Sequence, residues 1–305
     1  MKKLLLMVVA MLLVLGTGCA QADAIRIGVM SGPTGMGMAK LMSEANDACT
    51  FEIYAAPTDA TADLASGTLD MLCLPTNTAA SLSRAKEDFI SVLAVNCLGT
   101  LYLVTDSQTE VTSVADLDGM TIWAGVATST TGPILADIFA KNGVNVTVEW
   151  EADHDAVIAQ MLQGCIHAAV LPEPKATVAM TKAEGWRMAL DLSEEWDKVN
   201  ESRLTMGCIV ARNDFLRANA EVIDVFLADY CASIAFIGDE ANRKESAAMI
   251  AAAGILPAEG VAMKALGNLY GSIVYEDGEQ MKADLTAFFD IIGQEQPDDA
   301  FYYEK

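Results

Sequence analysis

The chain has 305 residues, 42 of them acidic and 19 basic, for a formal net charge of −23. At 52% hydrophobic and 20% charged it can fill a buried core, which excludes a disordered acidic chain. Its self-repelling charge argues against nucleic acid and anionic membrane surfaces as partners.

Lys2 and Lys3 precede the apolar run Leu4 to Leu15, which ends in Gly16-Thr17-Gly18-Cys19. A basic start, a short apolar segment and small residues before a cut form the pattern of an export signal, here residues 1–18. The apolar run falls short of the roughly 20 residues a membrane-spanning helix needs. The ending resembles a bacterial lipobox, which implies lipidation at Cys19 and a lipid anchor on the cell membrane. Cleavage after Ala20-Gln21-Ala22 would instead give a secreted or periplasmic protein. The other cysteines (Cys49, Cys73, Cys97, Cys165, Cys208 and Cys231) have no CxxC spacing. Several lie in apolar runs such as Met71-Leu72-Cys73-Leu74 and read as reduced, buried residues.

Ile25 to Met30 reads as a strand. It runs into the glycine-rich Ser31–Gly37 and a helix through Met38, Leu41 and Met42. Phe51 to Ala55 is a second strand, Thr58 to Ser66 a helix closed by Gly67, and Leu69 to Leu74 a third strand ending at Pro75-Thr76-Asn77. The pattern then returns: strand Thr121 to Ala124, a helix opened by Thr131-Gly132, strand Thr147 to Trp150, helix Asp155 to Gln163, and strand Ile166 to Leu171 before Pro172-Glu173-Pro174. Between residues 34 and 80, 11 positions are identical to those 97 residues later, Thr34/Thr131, Gly67/Gly164 and Pro75/Pro172 among them. A duplication and two unrelated βαβαβ units both explain this, and both predict two α/β lobes.

In open parallel sheets ligands bind beyond the carboxyl ends of strands. Four loops qualify: Ser31–Met36, Thr76–Asn77, Thr128–Thr131 and Glu173–Pro174. Ser31, Gly32, Thr34, Gly35 and Met36 lie at one helix start and Ser129, Thr130 and Thr131 at another, where free N–H groups favour an acceptor or anion. The same hydroxyls could merely cap those helices. Thr76 and Asn77 could orient a polar ligand or shape a turn. Glu173 could accept from a ligand nitrogen at the cleft edge, which favours a nitrogen heterocycle, or form a turn or hinge ion pair. Trp123, Tyr102 and Trp150 are candidate aromatic walls.

Gly32-Pro33-Thr34-Gly35-Met36-Gly37-Met38, Gly67-Thr68-Leu69-Asp70, Asp116-Leu117-Asp118-Gly119, Ala168 to Pro174 and Asp298 to Tyr303 together resemble landmarks of ABC-importer extracytoplasmic solute-binding proteins of the NMT1/SsuA/TauA-like group. The resemblance spans about residues 25–303 and implies a type II periplasmic-binding-protein fold, α/β, with two Rossmann-like lobes of mainly parallel sheets joined by a two-stranded hinge. It places lobe I at 25–101 plus 206–305 and lobe II at 102–205, with crossing strands near Leu98–Val104 and Leu204–Val210. Helical stretches such as Val222 to Phe236 and Met281 to Ile292 pack behind lobe I. It also implies a monomer that captures a small polar solute, of the sulfonate, nitrate-like or thiamine-precursor class, for an ABC permease and its ATPase. A dehydratase or pyrimidine-synthase-like enzyme on this fold is the alternative. The inventory opposes it: only His154 and His167 occur, without HxH or HExxH spacing, and no P-loop or GxSxG is present. No catalytic residue, metal or cofactor is expected.

Overall fold

The computed structural model describes residues 24–44 and 47–304; the export signal and Cys19 lie outside them. Strands β1 (Ile25–Met30), β2 (Cys49–Tyr54), β3 (Met71–Pro75) and β4 (Ile90–Cys97) enter one sheet. A second takes β5 (Leu101–Thr105), β6 (Thr121–Gly125), β7 (Thr147–Glu151), β8 (Ala168–Pro172) and β9 (Arg187–Asp191). Strands β10 (Gly207–Arg212) and β11 (Ile273–Glu276) return to the first.

Helices α1 (Pro33–Met36), α2 (Ala39–Ser43), α3 (Pro57–Ser66) and α4 (Thr76–Ala85) connect the first sheet. Helices α5 (Thr131–Asn142), α6 (His154–Leu162), α7 (Lys175–Lys182) and α8 (Leu192–Asp197) serve the second. The rest is mostly helical: α9 (Asn213–Ala218), α10 (Ala220–Gly238), α11 (Arg243–Ala252), α12 (Glu259–Asn268) and α13 (Gly278–Ile291). The helix expected through Met38 breaks into α1 and α2 at Gly37, where any Cβ would meet the Ile234 side chain at 2.6 Å.

The sheet orders are β11-β4-β10-β3-β1-β2 and β7-β6-β8-β5-β9. Apart from the added β11, both follow one plan. Three strands of a βαβαβ unit lie parallel, and the strand arriving from the other lobe, β10 or β5, is inserted antiparallel beside the third. The ladders are therefore mixed although most strands point one way. β3 and β8 contain runs buried on both faces (Met71–Leu74 and Ala168–Leu171), as a central parallel strand requires. Gly67 at φ +81° and Gly164 at φ +69° end the equivalent helices α3 and α6 in the left-handed region.

The repeat has one slip. Ile27 pairs with Met71, 44 residues on, whereas Trp123 pairs with Ala169, 46 residues on. The segment from β6 into α5 is therefore two residues longer than that from β1 into α1.

The chain crosses between sheets at 97–101 and 191–207, strand ends included. The crossings bond to each other, Met206 N donating to Cys97 O at 3.0 Å. Beside them one apolar core runs through both lobes, with Trp196 of α8 edge-on to Phe288 of α13 at 5.9 Å. Both rings are fully buried, each burial contributing about 2 kcal/mol or more. Helices α10 to α12 pack over the other face of the first sheet. Among the described residues all six cysteines are free, and no helix is long and apolar enough to cross a membrane.

Candidate functional site

The strand ends of the two sheets face one another across a cleft of about 650 Å³. Pro33 and Thr34 reach it from α1, Pro57, Thr58 and Thr61 from α3, and Pro75, Asn77 and Thr78 from the β3–α4 turn. The opposite wall is Val126, Thr128, Ser129, Thr130 and Thr131 before and at the start of α5, with His154 of α6 and Pro172 of β8. Cys97, Thr100, Leu101 and Met206 of the crossing segments form the floor. Helices α3 to α6 all present their N-terminal turns here, because each follows a strand whose carboxyl end points at the cleft.

The wall is rich in hydroxyls and holds no carboxylate, ammonium or guanidinium among the described residues. Burial pushes the Cys97 thiol up to about 12, so it stays protonated. Burial, then the charge of Lys175, lowers the His154 imidazole below its ordinary value, so it is neutral at pH 7. The cleft is thus electrically quiet inside a strongly acidic protein, and its positive character comes from helix starts.

Five residues singled out in the sequence meet here: Thr34, Asn77, Ser129, Thr130 and Thr131. The Asn96 amide fixes the first by donating to Thr34 O at 3.1 Å and to the Tyr230 hydroxyl at 2.9 Å.

The other six lie elsewhere. Ser31 is exposed, its N–H bonded to Tyr54 O. Gly32, at φ +102°, donates to Ile255 O. Gly35 and Met36 are buried, and a Cβ on Gly35 would sit 2.1 Å from Met30 O. Thr76 and Glu173 occupy equivalent hinge positions. Thr76 N donates to Met206 O at 3.1 Å and its hydroxyl to Thr205 O at 2.8 Å. Glu173 N donates to Thr100 O at 2.8 Å, and its carboxylate accepts from Thr177 and from Asn268 Nδ2. With Glu173 only 3% exposed and its oxygens so engaged, the basis for a nitrogen heterocycle is gone.

None of the proposed aromatic walls lines the cleft. Trp123 packs in the second lobe's core, Trp150 lies under Gly132, and the Tyr102 hydroxyl donates to Asn268 O. The sequence reading also missed Pro57, Thr58 and His154. Pro57 and His154 are related by the 97-residue offset, one of four such pairs, 33/130, 34/131, 57/154 and 75/172, that line the cleft; Thr58 has no such counterpart there. Among the described residues no cluster of three or more His, Cys, Asp or Glu could hold a metal.

No curated protein matches the chain significantly. Among solved structures, an ABC transporter from Parabacteroides distasonis aligns with a TM-score of 0.76 at 20% identity, covering 93% of this chain and 99% of that one. The periplasmic aliphatic sulphonate binding protein SsuA from Escherichia coli aligns at 0.69 and 17% identity, covering 91% and 96%. The periplasmic nitrate-binding protein NrtA from Synechocystis aligns at 0.56 and 11% identity, covering 86% and 75%. These likenesses establish the two-lobed periplasmic-binding-protein fold. The family model for menaquinone biosynthesis matches residues 33–294, and the chain belongs to that family.

Proposed function

We propose that the protein is an extracytoplasmic solute-binding protein of an ABC importer and not an enzyme. It takes a small polar organic solute into the cleft, closes about the two crossing segments and presents the solute to a membrane permease served by an ATPase. Anchoring through Cys19 and action as a monomer belong to the same reading. The observation that carries it is a cleft shared by both lobes, rich in hydroxyls and helix-start N–H groups and without an ionised side chain. Such a wall suits acceptor oxygens, and contact with both lobes lets a ligand stabilise the closed state by differential binding. The sulphonate- and nitrate-binding neighbours support the same solute classes.

Membership of the menaquinone biosynthesis family favours a second reading, an enzyme such as a dehydratase on this fold. Against it, among the described residues the titratable groups that line the cleft are Cys97, whose thiol burial keeps protonated, and His154, and no carboxylate lines it beside them to complete an acid–base pair.

A thermal-shift panel of alkanesulfonates, nitrate and oxygenated heterocycles separates the readings. One class is expected to raise the melting temperature and be recovered unchanged. The double variant Thr34→Ala, Thr131→Ala should bind that class about tenfold more weakly or worse, the worth of about one hydrogen bond. Recovery of a converted product would establish the enzyme, and unchanged affinity in the double variant would remove these residues from the site.

A further inference from the structure

Behind the cleft floor the lobes are joined by a compact polar knot. Asn268, the last residue of α12, belongs to lobe I, yet its side-chain amide and its carbonyl bond to lobe II. Its Nδ2 donates to Glu173 Oε1 at 2.5 Å and to Thr177 Oγ1 at 3.1 Å, and its carbonyl accepts from the Tyr102 hydroxyl at 2.5 Å. Glu173 and Thr177 are buried and bond each other at 2.9 Å. Close by, Gly32 presents its bare Cα to lobe II: a Cβ there would lie 4.0 Å from Pro174.

The knot is tied to the ligand wall through the backbone. Thr100, Leu101 and Pro172 line the cleft, while the next residues, Tyr102 and Glu173, reach Asn268. In lobe I the position equivalent to Glu173 is Thr76, whose hydroxyl bonds only the neighbouring crossing segment. The carboxylate is therefore an addition of lobe II, placed where α12 of the other lobe closes over it. Burial pushes its pKa up, and the bonds from Asn268 and Thr177 oppose that shift. Pulling the lobes apart on this flank would strand a buried carboxylate, which is costly unless water follows. The lobes also meet at Trp196 against Phe288, a contact that is apolar and non-directional.

We propose that Asn268 is an interlobe clasp, a positioning residue that sets the spacing of the lobes before any solute arrives. The proposal rests on the cleft acting by closure, but its test needs no solute. Cys165 in lobe II and Cys231 in lobe I are exposed free thiols, so spin labels can report the interlobe distance. The labelled protein is the full chain with Cys19→Ser and Cys49→Ser.

Asn268→Ala is expected to shift the ligand-free distance distribution to longer values and broaden it. Tyr102→Phe, which removes one hydroxyl and leaves no cavity, should give a smaller shift in the same direction. Glu173→Gln keeps an acceptor for Asn268 but removes the charge that separation would strand, and should give a shift in the same direction smaller than that of Asn268→Ala. Should Asn268→Ala fail to fold, Tyr102→Phe carries the test. A distribution identical to wild type in the folded variants would overturn the clasp. A shift seen in a protein that binds no member of the solute panel would leave the clasp standing and sink the transport reading alone.

Discussion

The two lobes share a strand order and four pairs of cleft positions, but the first loop of each is built differently. In lobe I the loop after β1 is short and tied to its own lobe on three sides: Ser31 N to Tyr54 O, Gly32 N to Ile255 O, and Asn96 to Thr34 O. In lobe II the loop after β6 is two residues longer, and Val126 sits at φ +61°. Beyond Val126 its bonds are local turns, Ser129 N to Val126 O and Thr131 N to Ser129 Oγ. Four residues just before α5 line the cleft, against Pro33 and Thr34 from the lobe I counterpart. One topological position thus supplies a fixed wall in lobe I and an adjustable rim in lobe II. On the solute-binding reading, selectivity belongs to the rim.

The matched glycines Gly35 and Gly132 carry the largest difference between the two loops. A Cβ on Gly35 would stand 2.1 Å from Met30 O, a backbone atom that cannot step aside. Gly35→Ala is expected to cost about 3 kcal/mol. A Cβ on Gly132 meets the edge of the Trp150 ring at 3.4 Å, near ordinary contact, at a helical position. Gly132→Ala should be neutral or gain up to about 1 kcal/mol from helix propensity. Denaturant midpoints measure both; equal costs would mean that the two loops are equally tight.

The same pairing shows what could be read from the chain. Apolar runs with a proline at their end placed β3 and β8 within two residues, because a strand buried on both faces has no alternative composition. Strand β4 is also buried throughout, but its run carries the polar Ser91 and Asn96 and ends without a proline, and β9, Arg187–Asp191, is half-exposed and short, so neither stands out in the sequence. Thr34, Asn77 and Ser129 to Thr131 were legible because a polar residue at a strand-to-helix junction faces outward from the sheet end. Thr76 and Glu173 look the same in sequence, but their partners, Thr205 and Asn268, lie 129 and 95 residues away. A polar side chain after a strand reveals its exposure only through such distant neighbours.

Val126 offers a smaller test. A β-branched residue at φ +61° is strained by about 1–2 kcal/mol, and Asn tolerates that region better. Val126→Asn should therefore raise the melting temperature by about 2 °C with the lobe I loop unaffected. It should also alter the choice among solutes in the thermal-shift panel, since Val126 lines the rim. A stabilised protein with an unchanged solute profile would keep the strain and remove selectivity from this residue.

The smallest expected effect concerns the hinge pair Thr76 and Glu173, of which only the second titrates. Burial raises the Glu173 carboxyl above its ordinary 4.5. Between that value and the raised one the folded state binds more protons than the unfolded state, so this group's contribution to stability falls as pH rises through the window. Asp88, Asp106, Asp116 and Asp155, all shifted down, act the opposite way below 3.8 and do not overlap it. The difference between wild type and Glu173→Gln isolates the term, because every other group is common to both. Relative to wild type, the Gln variant should gain stability steadily from pH 4.5 upward and level off once the wild-type carboxylate is fully ionised. A difference that stays flat across that range would mean that the carboxylate is as well solvated as in the unfolded chain. The position after the strand-end proline would then be equivalent in the two lobes, with no buried charge distinguishing one side of the hinge from the other.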